Sequence, residues 1–176
     1  MSGASPRHFG TDGVRDVAGS GLLAPDAVRR WGGAIAHFLQ EGGTSGTILI
    51  GRDTRESGPG ISQALTGPLT SAGFTVQDAG VCPTPAISFL TRTSGARLGI
   101  VVSASHNPAE YNGIKLFDGR GRKLTPENEA HIEQIWEKAE DSSSLGDHSN
   151  PVRRFAWEEN YLNSLHRAFP TLNLNG

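Results

Sequence analysis

The amino-acid sequence predicts an α/β layered domain in which helices flank a mainly parallel sheet. Three observations carry that expectation. Segments with apolar residues at helical spacing alternate along the chain with short apolar runs of strand length. Two of those runs, Ile48-Leu49-Ile50 and Gly99-Ile100-Val101-Val102, carry no polar side chain on either face, as strands covered from both sides require. A chain of 176 residues is long enough for one well-filled core, or for one domain and the beginning of another.

The first helix opens at Pro25, a residue suited to the first helical turn. Its stripe runs through Val28, Trp31, Ile35, Phe38 and Leu39 and stops at Gly42-Gly43. Ile48 to Ile50 follows as a strand. Ser57 and Pro59 open a second helix carrying Ile61, Ala64 and Leu65, which Pro68 is expected to kink or shorten. Phe74-Thr75-Val76 is the next strand, and Thr84-Pro85 caps a third helix with Ile87, Phe89 and Leu90. The Gly99–Val102 strand runs directly into Ser103-Ala104-Ser105-His106-Asn107-Pro108. Ile114 to Phe117 and Arg122 to Leu124, on either side of Asp118-Gly119-Arg120-Gly121, read as a hairpin or a strand with a tight turn. Thr125-Pro126 caps a fourth helix bearing Ile132, Ile135, Trp136 and Ala139.

Residues 1–140 are thus expected to form the main body, with the polar, turn-rich stretch 141–152 as a linker. Residues 153–170 are expected to add a last helix holding Phe155, Tyr161, Leu162, Leu165 and Ala168 up to Pro170. Leu172 and Leu174, alternating with Asn173 and Asn175, read either as a frayed tail or as the start of a second domain at 171–176.

Composition narrows the function classes. Sixteen Lys and Arg against 18 Asp and Glu give a formal charge of −2, which argues against broad nucleic-acid binding but not against a small local anion site. No apolar run reaches the roughly 18 residues of a membrane span, and MSGASPRHFG has no apolar signal region, so a cytoplasmic domain without membrane contact is expected. The single cysteine, Cys82, excludes an intrachain disulfide framework and reads as a small buried residue. Six scattered histidines give no zinc-ligand spacing, and no Walker-type or dinucleotide-binding glycine motif is present. Trp31, Trp136 and Trp157 read as core.

The 23 glycines gather in part in three polar loops. These are Phe9-Gly10-Thr11-Asp12-Gly13-Val14-Arg15, Gly51-Arg52-Asp53-Thr54-Arg55-Glu56-Ser57-Gly58, and Ser103 to Pro108 followed by Asn112-Gly113-Ile114-Lys115. In open α/β sheets ligands sit beyond the carboxyl ends of strands, where the second and third of these loops fall. Two readings stand side by side. In one, Ser and Asn serve turns and the Arg-Asp pairs of GRDTR form local ion pairs. In the other, the Ser105 hydroxyl handles a phosphoryl group beside His106, with Arg15, Arg52, Arg55 and Lys115 as cations against developing charge.

Taken together, FGTDGVR at 9–15, GRDTRESG at 51–58, TPA at 84–86 and VSASHNPAEYNGIKLF at 102–117 resemble the α-D-phosphohexomutase superfamily, and within it the bacterial phosphoglucosamine mutases. The resemblance covers nearly the whole chain but only the first of that family's four domains, and it implies a mixed central sheet flanked by helices. It implies that Ser105 is a phosphoserine whose phosphate also ligates Mg²⁺. Lys115 then takes acid/base or charge-stabilising work, Arg15 is the first-loop arginine, and His106 with Asn107 supports the serine loop. The implied reaction interconverts glucosamine 6-phosphate and glucosamine 1-phosphate through a bisphosphorylated sugar. The implied partner is a small hexosamine phosphate, with the other domains of the enzyme missing from the chain. A phosphomannomutase or phosphoglucomutase, or a non-catalytic sugar-phosphate-binding domain, remains an alternative. The family's Asp-Gly-Asp-Gly-Asp-Arg metal loop does not occur in this sequence. Asp16 stands where relatives usually carry glycine, and strain is expected there if the position needs positive φ.

Overall fold

The protein is described by a computed structural model covering residues 6–139 and 152–171. Seven strands make one mixed sheet: β1 (Phe9–Gly10), β2 (Gly13–Val17), β3 (Thr47–Arg52), β4 (Thr75–Val81), β5 (Leu98–Val102), β6 (Tyr111–Asp118) and β7 (Arg153–Arg154). Their order across the sheet is β1-β2-β6-β5-β3-β4-β7. β5, β3, β4 and β7 run parallel, whereas β1, β2, β6 and β5 meet antiparallel.

The α-helices among the described residues are α1 (Pro25–Gln40), α2 (Gly58–Ser71), α3 (Thr84–Ser94), α4 (Pro126–Lys138) and α5 (Glu158–Ala168). Side-chain alternation along the strands assigns them to two layers. Ile48, Ile50, Ile100, Val102, Ile114 and Leu116 point to one face, where they pack with apolar residues of α1, α2 and α4. Leu49, Val101 and Phe117 point to the other, against Ala86, Ile87 and Leu90 of α3. Double burial explains why β3 and β5 read as uninterrupted apolar runs. Gly99 lies where α3 crosses closely, since a Cβ there would stand 2.2 Å from Thr91 Oγ1.

Four expectations are corrected or sharpened. Pro68 lies inside α2, which continues to Ser71. Gly67 before it has no Cβ to collide with the ring, and the Thr70 hydroxyl donates to the carbonyls of Thr66 and Gly67 at 3.1 and 2.9 Å. The first polar loop is largely a hairpin of β1 and β2 paired through Phe9–Val14 and Gly10–Gly13. Phe155 precedes α5; Arg153 and Arg154 form a strand on β4, and Phe155, Trp157 and Tyr161 pack on the α3 side of the sheet. Asp16 does not have positive φ. Its carboxylate instead accepts the amides of Val17 and Leu22, each at 2.8 Å, and so closes the turn that leads to α1.

The linker expected at 141–152 falls, except for Val152, outside the described residues, as does nearly all of the tail at 171–176. No helix among the described residues is long and apolar enough to cross a membrane.

Candidate functional site

The site is built where β3 and β5 end and β6 begins. Val102, the last residue of β5, hands the chain to Ser103, whose amide donates to the Gly113 carbonyl at 3.0 Å. Between them the chain loops out and returns. Among the described residues Ser105 is the one non-glycine with positive φ, at 59°. That left-handed conformation costs a side-chain-bearing residue about 1–2 kcal/mol and persists where the surroundings fix it. Its amide donates to Ser103 Oγ at 2.9 Å, and the Asn107 amide to the Ala104 carbonyl at 3.1 Å, closing the turn from inside. The Ser105 side chain is exposed, and its Oγ lies 3.4 Å from His106 Nδ1.

The second loop braces the third. Arg55, nearly buried, points across to the carbonyls of Ser105, Asn107, Pro108 and Tyr111, while its Nε donates to Asp53 Oδ2 at 3.0 Å. Asn112 Nδ2 donates to Ser57 Oγ at 2.8 Å, tying the start of β6 to the start of α2. Arg52 pairs with Asp78 on β4 at 3.0 Å. Arg55 therefore has no donor left for a ligand, and Arg52 is held by Asp78 on the far side of β3 from β5. Of the local ion pairs read in GRDTR, Arg55–Asp53 is found, whereas Arg52 pairs outside that stretch, with Asp78 on β4.

The first loop brings its own charges. β2 pairs with β6 so that Arg15 lies opposite Gly113, the residue whose carbonyl holds Ser103. The two backbones touch. A Cβ on Gly113 would stand 2.7 Å from the Val14 oxygen and 2.8 Å from the Ser103 oxygen. Gly13, at φ +105°, lies against the Ile114 carbonyl in the same way. Lys115 Nζ then meets Asp12 Oδ1 at 3.0 Å, and Arg15 reaches Asp12 Oδ2 at 3.6 Å. The hydrogen bond and positive charge of Lys115 hold the Asp12 carboxyl below its ordinary range. Arg15 Nε is buried and makes no hydrogen bond, so the guanidinium retains donor capacity.

A distant carboxylate sets the hairpin's position. Glu133 of α4, itself buried, accepts the amides of Arg7, His8 and Phe9 at 2.7, 2.6 and 2.6 Å. Above it Trp31 and Trp136 stack at 4.6 Å, and the Phe9 ring meets Trp31 edge-on.

The structure thus places the expected residues in two adjoining groups. Ser105 and His106 stand on the third loop, and Lys115 and Arg15 share Asp12 across β2 and β6. Such an arrangement can present a hydroxyl to a phosphoryl group and offer cations to its charge. Asp12 and the bracing role of Arg55 escaped the sequence reading. Asp12 had a usable signal, a carboxylate three residues before Arg15. The span from Arg55 to Tyr111 had none. Cys82 is buried beside Gly51, and burial pushes its thiol up to about 11, which leaves it unsuited as a nucleophile. Among the described residues no three His, Cys, Asp or Glu converge as a metal group. Mg²⁺ prefers several oxygen ligands, so these residues do not by themselves fit a Mg²⁺ centre.

Residues 6–143 match the family model described as phosphoglucomutase/phosphomannomutase, alpha/beta/alpha domain I. Over 128 residues the chain is 50% identical to the phosphoglucosamine mutase of Xylella fastidiosa (strain M12), covering 72% of this chain and 29% of that protein. Over 133 residues it is 46% identical to the phosphoglucosamine mutase of Deinococcus radiodurans, covering 76% and 30%. A solved structure from Thermus thermophilus, assigned as a phosphomannomutase, superposes with a TM-score of 0.78 at 29% identity, covering 94% of this chain and 36% of that one. A phosphoglucomutase/phosphomannomutase family protein from Burkholderia thailandensis gives 0.70 at 27% identity, covering 96% and 36%. The chain spans about 30% of the length of the curated relatives it matches.

Proposed function

Since the chain belongs to the phosphoglucomutase/phosphomannomutase family, whose domain I it carries, we propose that it is the phosphoserine-bearing part of a phosphohexomutase acting on glucosamine phosphates. The observation that carries this reading is the Ser105 hydroxyl, presented to solvent from a left-handed turn beside the paired cations of β2 and β6.

The chemistry is a reversible exchange. A sugar hydroxyl of glucosamine 6-phosphate attacks the phosphorus held on Ser105. The bond from phosphorus to Ser105 Oγ breaks, a bond to the sugar oxygen forms, and the hydroxyl's proton ends on Ser105 Oγ. With the bisphosphorylated sugar turned over, Ser105 Oγ attacks the other phosphorus, the bond from that phosphorus to the sugar's 6-oxygen breaks, the Oγ proton ends on the 6-oxygen, and glucosamine 1-phosphate leaves. Lys115 and Arg15 neutralise charge on the transferring group, and Lys115 assists proton movement. Arg15, its side chain 25% exposed, meets Asp12 through a terminal nitrogen at 3.6 Å, beyond hydrogen-bond range, which supports that role. His106 adjoins the serine oxygen and steadies its orientation. Mg²⁺, which the resemblance implies, would need ligands beyond the described residues.

The sugar is the finer part of the proposal. Identity of 46–50% to phosphoglucosamine mutases favours glucosamine phosphate. The structural match to a protein assigned as a phosphomannomutase supports mannose phosphate as the second reading. Turnover of glucosamine 6-phosphate against mannose 6-phosphate by the complete gene product with Mg²⁺ decides between them. Peptide mass spectrometry is expected to place phosphate on Ser105, and phosphate found only on Ser103 would refute the assignment. The 176-residue chain alone is expected to show no turnover, and mutase activity from it would overturn the view that other segments complete the site.

A further inference from the structure

We propose that Arg55 is a positioning residue that selects the left-handed conformation of Ser105 and thereby presents its hydroxyl. What that hydroxyl then does rests on the function proposed above; the geometry of the loop does not.

A guanidinium has five N–H donors in a rigid planar fork. In Arg55 each of the three nitrogens is engaged, and the number of acceptors equals the number of donors. Nε donates to Asp53 Oδ2 at 3.0 Å. One terminal nitrogen donates to the carbonyls of Pro108 and Tyr111, the other to those of Ser105 and Asn107 at 3.0 and 2.8 Å. The four carbonyls come from both limbs of the loop that leaves β5 and returns as β6. They include that of Ser105 itself, so rotation of Ser105 out of the left-handed region would pull its carbonyl away from the fork. Asp53 fixes the fork in turn, through Nε and through the Arg55 amide at 3.1 Å.

The opposing pull is local. Serine pays a steric penalty at φ 59° that glycine would not, and the loop's own bonds, Ser105 amide to Ser103 Oγ and Asn107 amide to the Ala104 carbonyl, are between neutral groups. Charge-assisted bonds are roughly twice as strong as neutral ones, so the fork is the interaction able to hold the strained turn. Lysine cannot replace it. An ammonium has three donors on a point charge and cannot span four acceptors in a plane.

The test uses the unphosphorylated 176-residue chain and two nuclear magnetic resonance readouts. Positive φ brings the Ser105 amide hydrogen close to its own Hα, giving a strong intraresidue Overhauser effect. Amide exchange at Ser105 and Asn107 reports the closed turn. In Arg55→Gln, and equally in Arg55→Lys, the Ser105 Overhauser effect is expected to weaken and exchange at both amides to rise roughly tenfold or more, the scale of one lost charge-assisted bond. Amides of β5 should keep their protection. Should Arg55→Gln not fold, Asp53→Asn leaves the fork and its carbonyl acceptors in place but frees Nε, and a smaller rise at the same two amides is expected. An unchanged Overhauser effect and unchanged exchange in the folded variant overturn the proposal. Phosphate mapping on the native protein is read separately: its absence from Ser105 counts against the proposed function and leaves the loop result standing.

Discussion

Lys115 and Asp12 show how much a single side chain can carry in one property and how little in another. Their ion pair is half exposed on the Asp12 side, the kind of contact worth about 0–1 kcal/mol. Lys115→Ala in the complete gene product should therefore shift urea-unfolding stability by less than about 1 kcal/mol. In the role proposed above for Lys115, it should cut turnover by about 100-fold or more, because a cation that stabilises developing charge acts in the transition state. A wild-type rate would end that role for Lys115. Asp12 makes a second, independent prediction. Its carboxyl is held below its ordinary value of 3.8 in the folded chain, so its stabilising contribution is present above that pH and fades as pH falls through the lower folded value. Asp12→Asn should flatten the loss of stability with acid below about pH 4, measured by denaturant midpoints across that range.

Secondary-structure elements were legible in proportion to how local their causes are. Pro25, the stripe of α1 and the buried runs of β3 and β5 are written into neighbouring residues, and they fold as read. β1 and β2 are not. Gly13–Val17 has no alternating apolar pattern; it is a strand because Val14 and Arg15 find Ile114 and Gly113 about a hundred positions later. The same holds for Glu133, whose three amide partners lie more than 120 residues away and leave no mark in its own helix. The strands β2 and β6 also make a prediction. Gly113→Ala would thrust a methyl group to within 2.8 Å of two carbonyl oxygens at the floor of the serine loop. A loss of about 2 kcal/mol or more in unfolding free energy is expected, with the damage centred on the 103–113 segment in hydrogen exchange. Gly19→Ala should be much milder in steric terms, since nothing lies within 4 Å of the added carbon and only its φ of +82° resists.

At the scale of the molecule, the three loops are legible in the sequence because glycine and charge cluster in them, and for two of them at the ends of buried strands. Their division of labour was not visible. GRDTR offered two arginines of equal promise, and the fold commits one to Asp78 and the other to the serine loop, while Arg15 and Lys115 meet at Asp12. A sheet that is parallel on one side and antiparallel on the other puts those two cations and the serine turn at the same rim, though they come from opposite ends of the first 115 residues.

Two residues of β7 have an effect out of proportion to their number. Arg153 and Arg154 shield the outer rail of β4, which otherwise displays unpaired amides and carbonyls flanked by the exposed Val81. Bare rails of that kind recruit strands from other molecules. A chain cut after Ala139 should therefore self-associate under conditions in which the 176-residue chain does not, as light scattering would record. Equal scattering from the two would mean that β4 is protected by its own sequence.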